Sequence, residues 1–140
     1  MSLGYSLVAT LDAKYEFDTI KFLLEKGQAL GCTYYTFNED MDHYFDIKPL
    51  FSSIETANYL FYKKDNEYDS SHCITVKVDT TVFNLHILND TKILIMFNGL
   101  GNKWSKKFLF QEEPDIDIQR YSKLMLGFIE DFKIINFKVR

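Results

Sequence analysis

Cysteine is scarce in this chain: there are two in 140 residues, Cys32 and Cys73, far apart and without a C-x-x-C spacing. A disulfide framework is therefore not what holds the fold together, and no sequence signature of structural zinc or dithiol redox chemistry is present. With two prolines and six glycines there is also no low-complexity tract, internal repeat or interdomain linker. Histidine occurs three times, as His43, His72 and His86. A catalytic triad or multi-histidine metal site would need long-range folding to assemble from them. No apolar run approaches the roughly 18 residues of a membrane span. The segment after Met1 has no positive n-region and soon becomes charged at Asp12, Lys14 and Glu16, so no secretory signal is expected. A cationic excess is missing too: sixteen Lys and Arg face twenty Asp and Glu, a formal net charge of −4. Phosphate backbones need a basic field, so nucleic acid is disfavoured as a partner and a basic protein is favoured. The expected setting is the cytoplasm, with no membrane association.

What is present suits one folded domain spanning 1–140. A chain of this length buries roughly two thirds of its extended surface and needs no metal or cross-link to fold. Hydrophobic residues make up 46% and charged residues 26%, which excludes a disordered chain. Aromatics reach 16%, from thirteen Phe and nine Tyr beside one Trp. Phe at this level predicts a large core, and a surplus of Tyr predicts half-exposed contact surface.

Hydrophobic periodicity divides the chain into strands and helices. Residues Tyr5–Leu11 alternate as a strand. Asp12–Glu16 turns into a helix whose inner stripe is Phe17, Ile20, Leu23, Leu24 and Gly27, with Gly31 as its C-terminal stop. Gly27, costly by about 1 kcal/mol inside a helix, marks either an early end or a close helix–sheet contact. Thr33–Phe37 predicts a second strand, Leu50–Ile54 a short helical turn, Tyr59–Tyr62 a third strand and Lys63–Ser71 a charged loop. Alternation through Ile74–Val78 and Phe83–Ile87, then an apolar run at Lys92–Phe97, predicts an antiparallel meander whose last strand is covered on both faces. A turn at Asn98–Asn102 leads to an edge strand near Lys107–Phe110. Pro114 and Asp115 then open the strongest helix, Ile116–Phe132, with Tyr121, Leu124, Met125, Phe128, Ile129 and Phe132 as its stripe. Lys133–Val139 closes the pattern as a strand. The fold class is α+β: one mixed, mostly antiparallel sheet with two main helices packed on it.

No segment carries a catalytic signature. Gly99-Leu100-Gly101 lacks the third glycine and following helix of a phosphate-binding loop and reads as a hairpin turn. Neither a G-x-S-x-G nor an S-x-x-K motif occurs. The densest polar cluster is Glu39-Asp40-Met41-Asp42-His43 followed by Asp46. Its oxygens could take a hard divalent cation, which would make the protein a small enzyme or ligand binder, but the glycine and terminal Glu of a calcium loop are missing. The other readings of this segment are a solvated acidic loop and a protein-binding loop, and no cofactor is expected.

The acids gather in three places. Beside Glu39, Asp40, Asp42 and Asp46 stand Asp65, Glu67 and Asp69, and then Glu112 and Glu113 with Asp115 and Asp117. Each group has aromatics next to it: Tyr44 and Phe45, then Tyr62 and Tyr68, then Phe110. Carboxylates that steer encounter, around aromatics that supply grip, suit the capture of a basic protein. The candidate partner-binding residues are thus Glu39, Asp40, Asp42, Tyr44, Asp46, Asp65, Glu67, Tyr68, Asp69, Glu112 and Glu113, with no catalytic or metal-binding residue among them. Exposed tyrosines also allow a structural or regulatory subunit with a homo-oligomeric contact.

The C-terminal half, through Val82-Phe83-Asn84-Leu85-His86-Ile87, Gly101-Asn102-Lys103-Trp104 and Asp115–Ile134, resembles immunity proteins of bacterial contact-dependent inhibition and polymorphic toxin systems. The likeness is one of size, acidity and texture. It implies a non-enzymatic cytoplasmic antidote that occludes the active site of a cognate toxin, often a nuclease.

Overall fold

The computed structural model describes residues 6–37, 47–66, 71–79, 81–88, 92–98 and 114–139, with the backbone alone at 63–66, 71, 81, 98, 114–121 and 139. In chain order the elements are β1 (Ser6–Leu11), α1 (Phe17–Ala29), β2 (Thr33–Thr36), β3 (Pro49–Leu50), α2 (Ser53–Asn66), β4 (Ser71–Val78), β5 (Thr81–Leu88), β6 (Leu94–Asn98), α3 (Pro114–Ile129) and β7 (Ile134–Val139). The strands form one sheet in the order β3-β2-β4-β5-β6-β1-β7, and every described pairing is antiparallel. This is the α+β, single-sheet class that the periodicity implies, with three helices in place of two.

The meander β4-β5-β6 lies where alternation puts it. Val78 faces Thr81 across a two-residue turn, and Asp79 takes the left-handed conformation (φ 52°) that such turns demand. One face of the sheet carries Leu7, Ala9, Leu11, Tyr34, Ile74, Val76, Phe83, Leu85, Ile87, Ile95 and Phe97, all buried in the main core. The opposite face is unevenly covered: Val8, Cys73 and Thr75 are buried there, while Leu94 and Met96 of β6 are half-buried. The cover expected on both faces of β6 is thus complete on the side where the three helices pack and partial on the other.

Helix α1 lies between α2 and α3. It ends in a Schellman motif: Cys32 N–H donates to Gly27 O (3.0 Å), Gly31 N–H donates to Gln28 O (3.0 Å), and Gly31 has φ 95°. Gly27 is the close contact. A Cβ built there would overlap both the Tyr34 hydroxyl and the Phe128 ring. Tyr34 in turn donates to Leu24 O at 2.8 Å, so sheet and helix meet backbone to side chain. Phe128 of α3 stands edge-on to Phe97 (5.2 Å between centroids, 90°), and Phe97 stacks on Phe83 (4.7 Å). Lys26 at the end of α1 pairs with Glu130 (2.8 Å) and with Asp131 just beyond α3. Bonds to Asp131 and then Glu130 raise its pKa.

Residues Tyr59–Tyr62 do not form a strand; they belong to α2, which also takes in the first residues of the expected Lys63–Ser71 loop. The sequence signal for this helix is Ser52-x-x-Glu55. Ser52 Oγ accepts from Glu55 N–H (3.0 Å) and the Glu55 carboxylate accepts from Phe51 N–H (2.9 Å), a near-reciprocal capping box. The buried positions Ser53, Thr56, Ala57 and Leu60 follow helical spacing. The α3 helix begins at Pro114, as proline favours, and ends at Ile129 rather than Phe132. The strand expected at Lys107–Phe110 and the residues that follow Asn98 in the expected turn lie outside the described residues. No helix among the described residues is long and apolar enough to cross a membrane.

Candidate protein-binding surface

Helix α2 buries two hydroxyl residues along with its apolar ones. Its buried side has two hydroxyl residues in four, Ser53 and Thr56, with Ala57 and Leu60. Both hydroxyls are used: Thr56 Oγ1 donates to Ser52 O (2.8 Å) and Ser53 Oγ donates to the Glu25 carboxylate (3.4 Å). Three large apolar groups nevertheless face solvent: Phe51 just before the helix is 81% exposed, Ile54 52% and Tyr62 67%. Ile54, Asn58 and Tyr62 follow one another at intervals of four, so they form a stripe along one outer face. Single exposed apolar residues are ordinary, and several close together on one helix make a candidate contact surface.

The acidic segments flank this helix in the chain. The 37–48 connection leads from β2 to β3, and its base is pinned: Thr36 N–H donates to Lys48 O (2.8 Å) and Lys48 N–H donates to Thr36 Oγ1 (2.9 Å). Phe37 N–H donates to the Tyr59 hydroxyl (3.2 Å), which ties the start of that connection to α2. Of the acids and tyrosines singled out from sequence, Asp65 lies on the last turn of α2, where the backbone alone is described. Glu39, Asp40, Asp42, Tyr44, Asp46, Glu67, Tyr68, Asp69, Glu112 and Glu113 lie outside the described residues. Chain connectivity nevertheless puts the first acidic group ahead of α2 and the second at its end. Sequence reasoning missed Phe51 and Ile54, because Phe and Ile read as core. It placed Tyr62 at the end of an expected strand and as a neighbour of acids.

The histidines separate. His72 is buried on the helix side, its ring 5.8 Å from that of Tyr15. His86 is half-buried on the helix-free face, as its alternation with Leu85 and Ile87 implies. There its Nε2 lies 3.5 Å from Cys73 Sγ, a pairing that sequence spacing does not reveal. His43 lies outside the described residues. Burial pushes the Cys32 thiol up to about 12, so it stays protonated and is no nucleophile at neutral pH. Among the described residues, no three of His, Cys, Asp and Glu converge to hold a metal ion. Compared with protein-family models, curated proteins and solved structures, the chain matches none.

Proposed function

We propose that the protein is a non-catalytic binding module that neutralises a basic cognate protein toxin, as an immunity protein does, by covering the toxin's active site in the cytoplasm. The observation that carries this reading is the exposure of Phe51 just before α2 and of Ile54 and Tyr62 on it, flanked in the chain by acids on both sides. Aromatic and aliphatic groups that exclude water supply residence time, and carboxylates at the rim supply speed of encounter with a cationic surface. A net charge of −4 works in the same direction.

The test is co-expression with the C-terminal domain encoded immediately upstream, followed by label-free kinetics on the purified pair. The wild-type chain is expected to restore growth and form a one-to-one complex. Replacing Ile54 by Asp and Tyr62 by Ala is expected to weaken binding by about 2 kcal/mol or more each, mainly through faster dissociation. Thermal unfolding should stay within a few degrees, since both side chains are exposed. Neutralising Glu39, Asp40 and Asp42 together should slow association and flatten its salt dependence. Unchanged rescue and kinetics in the α2 variants would remove this surface from the function.

A further inference from the structure

The two edges of the sheet are built differently. At one end β3 is two residues long and begins with Pro49, two devices that stop further strand pairing. At the other end β7 runs for six residues, Ile134–Val139, without proline, and no described strand lies beyond it. Its register shifts once against β1, next to Ile135, and 136–139 pair regularly. Along β1 the N–H of Leu11 turns to Ile93 O beside β6, and that of Asp12 turns to Lys133 O beside β7 (2.8 Å each). By the same alternation Val8 and Thr10 bond toward Lys138 and Asn136, which sends the N–H and C=O of Phe137 outward. The side chains are open as well. Phe137 and Ile134 stand opposite Ala9 and Leu11, on the helix side of the sheet, yet they remain 37% and 40% exposed. Leu126 of α3 is 53% exposed on the flank away from α1, because Gly127 and Phe128 take the α1 side. Apolar surface thus borders an unpaired strand.

We infer that β7 is a homodimerisation edge, which pairs antiparallel with β7 of a second copy and continues the sheet across a two-fold axis. An outward row of backbone donors and acceptors takes another strand. Lys133 and Lys138 are exposed on this edge, so a cationic partner such as a basic toxin is repelled from it. A copy of the same strand avoids that clash when the axis passes through Asn136. Each Phe137 then faces Ile135 of the second copy, and each Lys138 faces Ile134. The two Lys138 residues stand about 14 Å apart along the strands, beyond the screening length of roughly 8 Å, whereas an axis through Phe137 would bring them to about 7 Å. Closure about a two-fold consumes both β7 edges, so growth stops at the dimer, with the blunt β3 at each outer end. Helix α2 packs over β2, β3 and β4 at the far end of the sheet. Its exposed groups therefore stay open in the dimer, and the pairing stands independently of the neutralisation reading.

Sedimentation velocity on the full chain, from micromolar to sub-millimolar concentration, is expected to show a reversible monomer–dimer equilibrium. A strand contact is small, so the dissociation constant should be on the order of 10 μM. Ile134→Lys sets a lysine against Lys138 of the second copy, twice per dimer, and should weaken association by about tenfold or more. Adding Lys138→Glu to that variant turns each clash into an opposite-charge pair and should restore the dimer. Asn136→Cys, which opposes itself across the axis at about 4.5–5.5 Å between Cα atoms, should form an intermolecular disulfide on mild oxidation. Lys138→Cys should not, and the native thiols are buried and add no background. The crosslink reads the pairing even if Ile134→Lys unfolds. A chain that stays monomeric at every concentration, its edge left to residues 99–113 or to another protein, would overturn the inference. So would a dimer insensitive to Ile134→Lys, or crosslinking through Lys138→Cys as fast as through Asn136→Cys.

Discussion

Truncating Phe128 to alanine is expected to lower the free energy of unfolding by about 3–5 kcal/mol. The ring is fully buried, stands edge-on to Phe97, and through Phe97 reaches Phe83, so it joins α3 to the middle of the sheet. It also closes over the bare backbone of Gly27. Its loss leaves a cavity whose walls are a helix backbone on one side and strand side chains on the other. Neither can collapse far, which places the cost toward the upper end of the range. For a domain whose whole stability is of order 5–15 kcal/mol, that is a third or more. Equilibrium urea unfolding followed by tryptophan-independent circular dichroism reads it directly. A loss below about 1 kcal/mol would mean that α3 is not seated on the sheet.

Gly27→Ala should also destabilise, although helix propensity alone favours the change by about 1 kcal/mol. The added methyl group meets the Tyr34 hydroxyl and the Phe128 ring at once. Tyr34 is held by its bond to Leu24 O, and Phe128 by Phe97, so the methyl displaces two anchored side chains rather than a flexible tip. Overpacking of this kind costs typically about 1–3 kcal/mol, and two anchored obstacles put it at the upper end, for a net loss of about 2 kcal/mol. The two substitutions must couple: in the Phe128→Ala background one of the two obstacles is gone, so Gly27→Ala should cost measurably less there. Equal cost in both backgrounds, or a gain from Gly27→Ala alone, would refute the close approach.

The parts of this fold that were legible in the sequence are those where hydrophobicity and burial agree. Phe83, Leu85 and Ile87 alternate in sequence and are buried by alternation, and Ile74 and Val76 face the same core from β4. Leu124, Met125, Phe128 and Ile129 repeat at helical spacing and are buried on one side of α3. Gly31 ends α1 where its lack of a side chain permits φ 95°. The reading fails at α2, and for a physical reason. There the buried side contains Ser53 and Thr56, while Phe51, Ile54 and Tyr62 face out, so the hydrophobic pattern points the wrong way and Tyr59–Tyr62 looks like strand. The contact between Cys73 and His86 was hidden differently. It depends on register, which is set by the turn that joins β4 to β5, and no spacing within one strand encodes it.

Strand β1 occupies a slot. It lies between β6 and β7, so the residues that satisfy its backbone are 94–98 on one edge and 134–139 on the other. Both partners leave the ribosome long after β1 does. Until then Leu7, Ala9 and Leu11, which end in the core, have no sheet to join. The β4-β5-β6 meander, by contrast, closes through near neighbours and pays little loop entropy. The order of assembly that follows is meander first and β1 last, inserted between two strands already near their places. Pulse-labelled hydrogen exchange during refolding should then show the amides of 74–76 and 85–87 protected before those of 8–10; simultaneous protection would mean that the slot and its strand form together. During synthesis β1 therefore waits longest of the described strands for its partners, a stretch that chaperones would meet before the sheet does.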